Sequence, residues 1–187
     1  MYPYLRFARV VLASRFGPRL GFDSESVLGL RVWPGDIDVF AEVNNGRYLT
    51  LMDLGRIDLG LRSGFIHTLH RQRWGLTVGG ASVRFRRRVP PFRKVRLRTK
   101  VVGYDERWFY FHQRIEEDTT TCAAALVRVG ITARGRLVPV SAVVEAAGLP
   151  DQRPELPAWV RAWIEAESVR PWPPERETRD SAAVEVS

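Results

Sequence analysis

The sequence predicts an α+β domain in which one long apolar helix lies across an antiparallel sheet. Three observations lead there. From Gly46 the apolar residues take helical spacing, at Tyr48, Leu51, Met52, Gly55 and Leu59. In the second half Val83 and Phe85 alternate with Arg84 and Arg86. Val95, Leu97, Thr99 and Val101 likewise alternate with Lys94, Arg96, Arg98 and Lys100, which is the period of half-buried strands. Finally, 187 residues at 45% hydrophobic content are enough for one domain with a sizeable core.

Taken in order, Met1 to Gly21 carries Arg6, Arg9, Arg15 and Arg19 among Leu5, Ala8, Leu12 and Phe16, which fall near one helical face. Residues 1–22 are read as a basic N-terminal arm or helix, packed on the domain or frayed, with a membrane-surface helix as the alternative. The apolar run Val10 to Ala13 is too short to span a bilayer, and Arg15 interrupts any signal-peptide core. Val27 to Trp33 is strand-like and ends at Pro34-Gly35, with Asp36, Asp38 and Asn44-Asn45 following. The order strand, tight loop, Asn cap and helix sets carboxylates beside free helix N–H groups. That makes the loop the first place to look for chemistry.

Arg62-Ser63-Gly64 stops the long helix, and Phe65 to Arg73 is a short second helix. Trp74 to Val89 opens the strand-rich half, and Pro90-Pro91 is read as turning it back in a hairpin. A third strand runs from Trp108 to Ile115. The fourth, Cys122 to Thr132, has few polar residues and is read as central, with Leu137 to Val140 extending the sheet. Ser141 to Gly148 and Pro157 to Ser168 are short helices, the first capped by Ser141 and Gly148. Residues 23–169 are thus one domain with C-terminal helices. From Arg170 the run RPWPPERETRD predicts a disordered tail, 170–187.

The formal charge of +8 is concentrated. Arg84 to Lys100 holds nine basic residues and no acid, so the charge forms a patch. The single cysteine, Cys122, excludes a disulfide framework, sits in an apolar run as core filler, and points to a reducing, cytoplasmic setting. His67 and His70 have helical spacing, but no neighbouring acid or Cys completes a ligand set, and none of the three histidines, His112 included, marks a metal site.

The run Asp38-Val39-Phe40-Ala41-Glu42-Val43-Asn44-Asn45-Gly46-Arg47-Tyr48 resembles the D-x-x-G-H-[VM]-N-N-x-x-Y signature of hot-dog-fold acyl-CoA thioesterases, in the 4-hydroxybenzoyl-CoA thioesterase branch. Gly103-Tyr104-Asp105-Glu106-Arg107-Trp108-Phe109-Tyr110 resembles a second motif of thioesterase-superfamily-member proteins. The resemblance runs from Leu28 to Trp163 and implies a helix wrapped by an antiparallel sheet. This chain departs from the signature at Ala41-Glu42, which stand where the family has Gly-His. Ala tolerates positive φ poorly, and Glu42 adds a carboxylate beside Asp38.

The resemblance implies an acyl-CoA thioesterase that needs no metal and no cofactor, coenzyme A entering as part of the substrate. Asp38 would attack the thioester directly or act as general base, and the backbone N–H of Asn45 would hold the oxyanion. Asn44 is the cap or a substrate-positioning amide, and Tyr48 and Arg47 seat the helix beside the substrate. Asp36 reads as a turn residue. Asp53 is a reserve carboxylate, although its spacing to Arg56 fits a plain i,i+3 pair. Of the basic patch, Arg84, Arg86, Arg88 and Arg93 are the candidates for gripping coenzyme A phosphates. The plain reading of the patch is a solvated sheet face, and an acidic acyl carrier protein or an anionic membrane would also suit it. Nucleic acid is set aside, because no recognition helix or RNP-type motif occurs. A homodimer with sites at its interface is implied, and two cationic faces would disfavour tetramers stacked sheet to sheet. A non-catalytic acyl-CoA or carrier-protein binding module is the alternative. A hydratase is disfavoured, since Val43 occupies the position of the histidine that such enzymes pair with Asp.

Overall fold

The structure is a computed structural model that describes residues 3–150 and 155–171. It divides into two compact units, Met1–Glu155 and Leu156–Ser187. The first contains helices α1 (Tyr4–Phe16), α2 (Asn45–Arg62), α3 (Phe65–Gln72) and α4 (Val140–Ala147). Its strands are β1 (Ser26–Arg31), β2 (Gly75–Phe85), β3 (Lys94–Tyr104), β4 (Phe109–Glu117), β5 (Thr120–Ala133) and β6 (Arg136–Leu137). The second unit carries α5 (Ala158–Ser168), which starts after Pro157 as expected of a residue that fits helix entry. The expected tail lies outside the described residues beyond position 171.

Every strand pairing is antiparallel, in the order β1-β3-β4-β5-β2, with β6 on the far end of β5. Two readings change here. Strands β2 and β3 are not a hairpin: β2 pairs with β5 at one edge, while β3 lies between β1 and β4. Alternation tells which face a strand buries, not which strand it pairs with. The basic run from Arg84 to Lys100 is therefore split across the sheet. The middle strand is β4, and β5 is interior but next to the edge. In addition, α4 begins at Val140 after Pro139, and Ser141 caps nothing.

Helix α2 lies in the concave face and is buried almost all round, with Leu51, Met52, Leu54 and Leu59 at most 2% exposed. Gly55 permits the close approach. A Cβ there would collide with Thr99 Oγ1 and lie 2.8 Å from Leu97 of β3. The helix also carries polar groups inward. Arg56 donates to Gln113 and Asp53, and Gln113 Nε2 donates to the Met52 carbonyl (2.8 Å) and to Thr99 Oγ1 (2.9 Å). Each buried polar atom thus finds a partner, which is what makes such a network tolerable.

On the convex face Arg98 and Arg114 are interleaved with Glu25 and Glu116 in a four-membered ion network, with Arg98 2.7 Å from each acid. Part of the cationic face is thereby neutralised. The second motif is a turn device: Asp105 Oδ1 accepts from the N–H groups of Arg107 (2.7 Å) and Trp108 (2.8 Å), while the Tyr110 hydroxyl donates to Oδ2 (2.5 Å). Trp108 then lies over Gly79 and Gly130, where a side chain would collide with its ring.

The edge strand is the exception to good burial. Leu76, Val78 and Phe85 pair with Ile131, Val129 and Ala123, all core residues of β5, and so share their concave face. Yet they remain 46%, 48% and 44% exposed. Helix α2 packs against β1, β3 and β4, and leaves this end of the concave face open.

Candidate active site at the mouth of the long helix

The β1–α2 connection builds the site in two layers. The first is a fastener at Asp36, on a 3-10 turn (Pro34–Asp36) and only 4% exposed. Arg6 of α1 donates to both carboxylate oxygens, at 2.9 and 2.6 Å, and the Trp33 N–H adds a third bond at 2.8 Å. Arg47 Nε stands 3.3 Å away. A buried carboxylate requires such compensation. Asp36 is therefore more than a turn residue: it ties α1, the loop and α2 together, and Arg47 seats the helix as expected.

The second layer is the loop 38–42. The Asp38 N–H donates to the Glu42 carbonyl (2.9 Å), and Asp38 Oδ1 accepts from the Phe40 N–H (2.8 Å) in an Asx turn. Ala41 adopts φ 61°, the left-handed conformation in which a side chain is strained. Val39 and Phe40 stand out at 93% and 72% exposure.

Helix α2 then starts as the spacing predicted. Asn44 is its cap, Oδ1 accepting from the Gly46 N–H at 3.0 Å, and its carbonyl accepts from the N–H groups of Arg47 (2.8 Å) and Tyr48 (3.3 Å). Among the described residues the Asn45 N–H has no partner, as the first residue of a helix should not.

Two cavities open beside this mouth. One of about 200 Å³ is lined by Asn45, Tyr48, Glu42, Phe85 and the run Arg86–Arg88. The other, about 450 Å³, is lined by Asn44, Gly46, Arg47 and the Asp36 turn. Asn45, Tyr48, Arg86 and Arg88 are thus brought together; Asn44 faces the second cavity, and Asp38 lines neither. Arg84 is exposed on β2 opposite Ala124, Arg93 pairs with Glu117, and neither arginine lines these cavities. Arg87, not singled out by alternation, lines the first cavity because the strand ends at Phe85.

Electrostatics sharpen the picture. Glu42 lies 3.0 Å from Arg88 Nε. Burial pushes the Tyr48 hydroxyl up to about 12, with Cys122 and Glu42 adding to the shift, so it remains a proton donor at neutral pH. Its ring packs on Phe85 at 5.2 Å. Asp53 forms the i,i+3 pair with Arg56, and burial pushes its carboxyl up against the pull of that guanidinium. Cys122 is fully buried, which raises its thiol and suits a core role. His67 and His70 share α3, and no group of three or more His, Cys, Asp or Glu side chains converges among the described residues.

A helix clasped by a curled antiparallel sheet, with its N-terminus open to a cavity, is the architecture of hot-dog thioesterases. The chain belongs to the thioesterase-like superfamily, whose model matches residues 32–164. Among individual proteins it is similar to Protein THEM6 of Drosophila melanogaster, 30% identical over 147 residues covering 77% of this chain and 74% of that one. In fold it is similar to YbaW, a probable thioesterase from Escherichia coli (TM-score 0.61, 17% identity, covering 64% of this chain and 94% of that one). It is similar also to a 4-hydroxybenzoyl-CoA thioesterase variant crystallised with 4-hydroxybenzoyl-CoA (TM-score 0.58, 13% identity, 66% and 98%).

Proposed function

We propose that this protein hydrolyses acyl-CoA thioesters at the α2 mouth. The observation that carries the reading is the unpartnered N–H of Asn45 at a helix N-terminus, a residue that lines one cavity with Tyr48 and the Arg86–Arg88 run. The thioester carbonyl oxygen would accept from Asn45, where helix N–H groups favour developing negative charge; one such donor is typically worth ~3 kcal/mol. Asp38, with Oδ1 held by Phe40, would present Oδ2 to a water or to the carbonyl carbon. In the water route the carboxylate takes the proton, the C–S bond breaks, and the coenzyme A thiolate leaves and is protonated. Arg86 and Arg88 would bind its phosphates.

A homodimer accompanies this reading. The free edge of β2 and the half-exposed Leu76, Val78 and Phe85 are what a second copy would cover.

The second reading is a non-catalytic acyl-CoA or acyl-carrier-protein binding module, favoured by the carboxylate of Glu42 on the cavity wall. A thiol-release assay over a panel of acyl-CoAs, with Asp38→Asn beside the wild type, separates the two. Hydrolysis requires turnover that falls by ~10²–10⁴ in the variant. Binding without turnover on any chain length supports the module, and unchanged turnover in Asp38→Asn removes Asp38 from the mechanism.

A further inference from the structure

Helix α1 presents an apolar stripe to solvent. Val10 faces the domain at 3% exposure, while Leu5, Leu12 and Phe16 are 89%, 58% and 84% exposed. Their spacing of seven and four residues puts all three on one helical face, roughly opposite Val10. Arg9 sits one turn from both Leu5 and Leu12, and Arg15 flanks the other side. The helix is held in place by Arg6, through Asp36 and through the Arg31 carbonyl at 3.0 Å.

Arg9 also belongs to a second feature. A cavity of about 520 Å³ beside β1 and β3 is lined by Arg9, Arg31, Lys94 and Arg96 together with Glu116 and Asp118. Among the described residues none of the four cations is paired with a carboxylate. Glu116 is already engaged by Arg98 and Arg114, and Arg96 donates to the Asp118 backbone carbonyl. Beside the cavity Arg31 lies 6.0 Å over the ring of Trp33, which is 49% exposed and packs edge-on against the 55% exposed Phe92.

We propose that α1 and this basic cavity form a docking surface for an anionic phospholipid bilayer. Leu5, Leu12 and Phe16 enter the acyl boundary, Trp33 takes the interfacial position, and Arg9, Arg31, Lys94 and Arg96 bind lipid phosphates. Arg9 flanks the apolar stripe and also lines the basic cavity, and a bilayer interface offers phosphate and hydrocarbon side by side. Nucleic acid leaves the stripe in water, and a second copy sets like charges against each other. No helix among the described residues is long and apolar enough to cross a membrane.

The test is co-sedimentation of the full chain with vesicles of phosphatidylcholine alone and of phosphatidylcholine with phosphatidylglycerol. The wild type binds the anionic vesicles and much less the neutral ones, with affinity falling as salt rises. Leu12→Glu with Phe16→Glu lowers that binding by more than about tenfold, and Arg9→Gln and Lys94→Gln by about fivefold each. These side chains are exposed, so near-ultraviolet circular dichroism should be unchanged. Equal binding to both vesicle types, no binding to either, or undiminished binding by the Leu12/Phe16 variant overturns the proposal. So does a change of oligomeric state in that variant without lipid, which assigns the stripe to a second copy.

Discussion

Glu42 and Arg88 form an ion pair at 3.0 Å on the wall of the cavity that Asn45 opens into, so the acid at the signature's histidine position is electrostatically answered. Arg88 is 78% exposed, and such surface pairs contribute under ~1 kcal/mol. Glu42→Gln should therefore leave the urea midpoint almost unmoved. It frees Arg88 and removes a negative charge from a site meant for an anionic thioester, so KM should fall by about fivefold at low salt. An unchanged KM would remove this cavity from coenzyme A binding.

Ala41 holds the site loop in a left-handed conformation with φ 61°. For a residue with a Cβ this costs ~1 kcal/mol, which glycine avoids. Ala41→Gly should raise unfolding free energy by up to ~1 kcal/mol, less the greater freedom of glycine in the unfolded chain. Ala41→Val should lower it by more than ~1 kcal/mol, because a β-branched residue fits that region worse. Urea denaturation of the pair checks both signs.

Removing one partner from a buried ion pair leaves a stranded charge, at a cost of ~3 kcal/mol. Arg6→Ala should therefore destabilise the domain by about that amount, with Arg47 as partial compensation, and should speed hydrogen exchange across α1. Adding Asp36→Leu should recover part of the loss. If Arg6→Ala costs less than ~1 kcal/mol, α1 is held by its apolar contacts instead.

Burial holds Tyr48 up to about 12, and its folded value lies above the ordinary one of 10.0. The folded state therefore binds that proton more tightly than the unfolded chain. The associated stability is complete below pH ~10 and lost as pH rises toward 12. Absorbance of tyrosinate at 295 nm should show an ionisation delayed beyond pH 10 that disappears in Tyr48→Phe. Tyr110, raised by burial and by its bond to Asp105, contributes a second delayed ionisation that Tyr110→Phe removes. Loss of signal in neither variant would place both rings nearer solvent.

Local order carried most of what the sequence revealed. The switch to helical spacing after Asn44-Asn45 located α2 and its cap, and alternation located β3. What was not legible depends on residues far apart in the chain. Nothing near Val83 or Phe85 says that β2 pairs with β5, because pairing is decided by which strand closes the sheet. Nothing near Pro34-Gly35-Asp36 points to Arg6, thirty residues upstream, so a buried hub reads as a turn. Around the helix mouth, Tyr48 follows from the helix period and Asn45 is implied by the resemblance, whereas the meeting of Glu42 with Arg88 joins a loop to a strand end.

The Asp36 fastener has a thermodynamic consequence. One carboxylate is gripped by Arg6 from α1 and approached by Arg47 from the first turn of α2, so the two helices share a common support. Were docking through α1 to favour one arrangement of the α2 mouth, a ligand that favours that arrangement would strengthen the docking by the same factor. That coupling would run through a single buried charge, and Asp36→Asn is where the reciprocity would be lost.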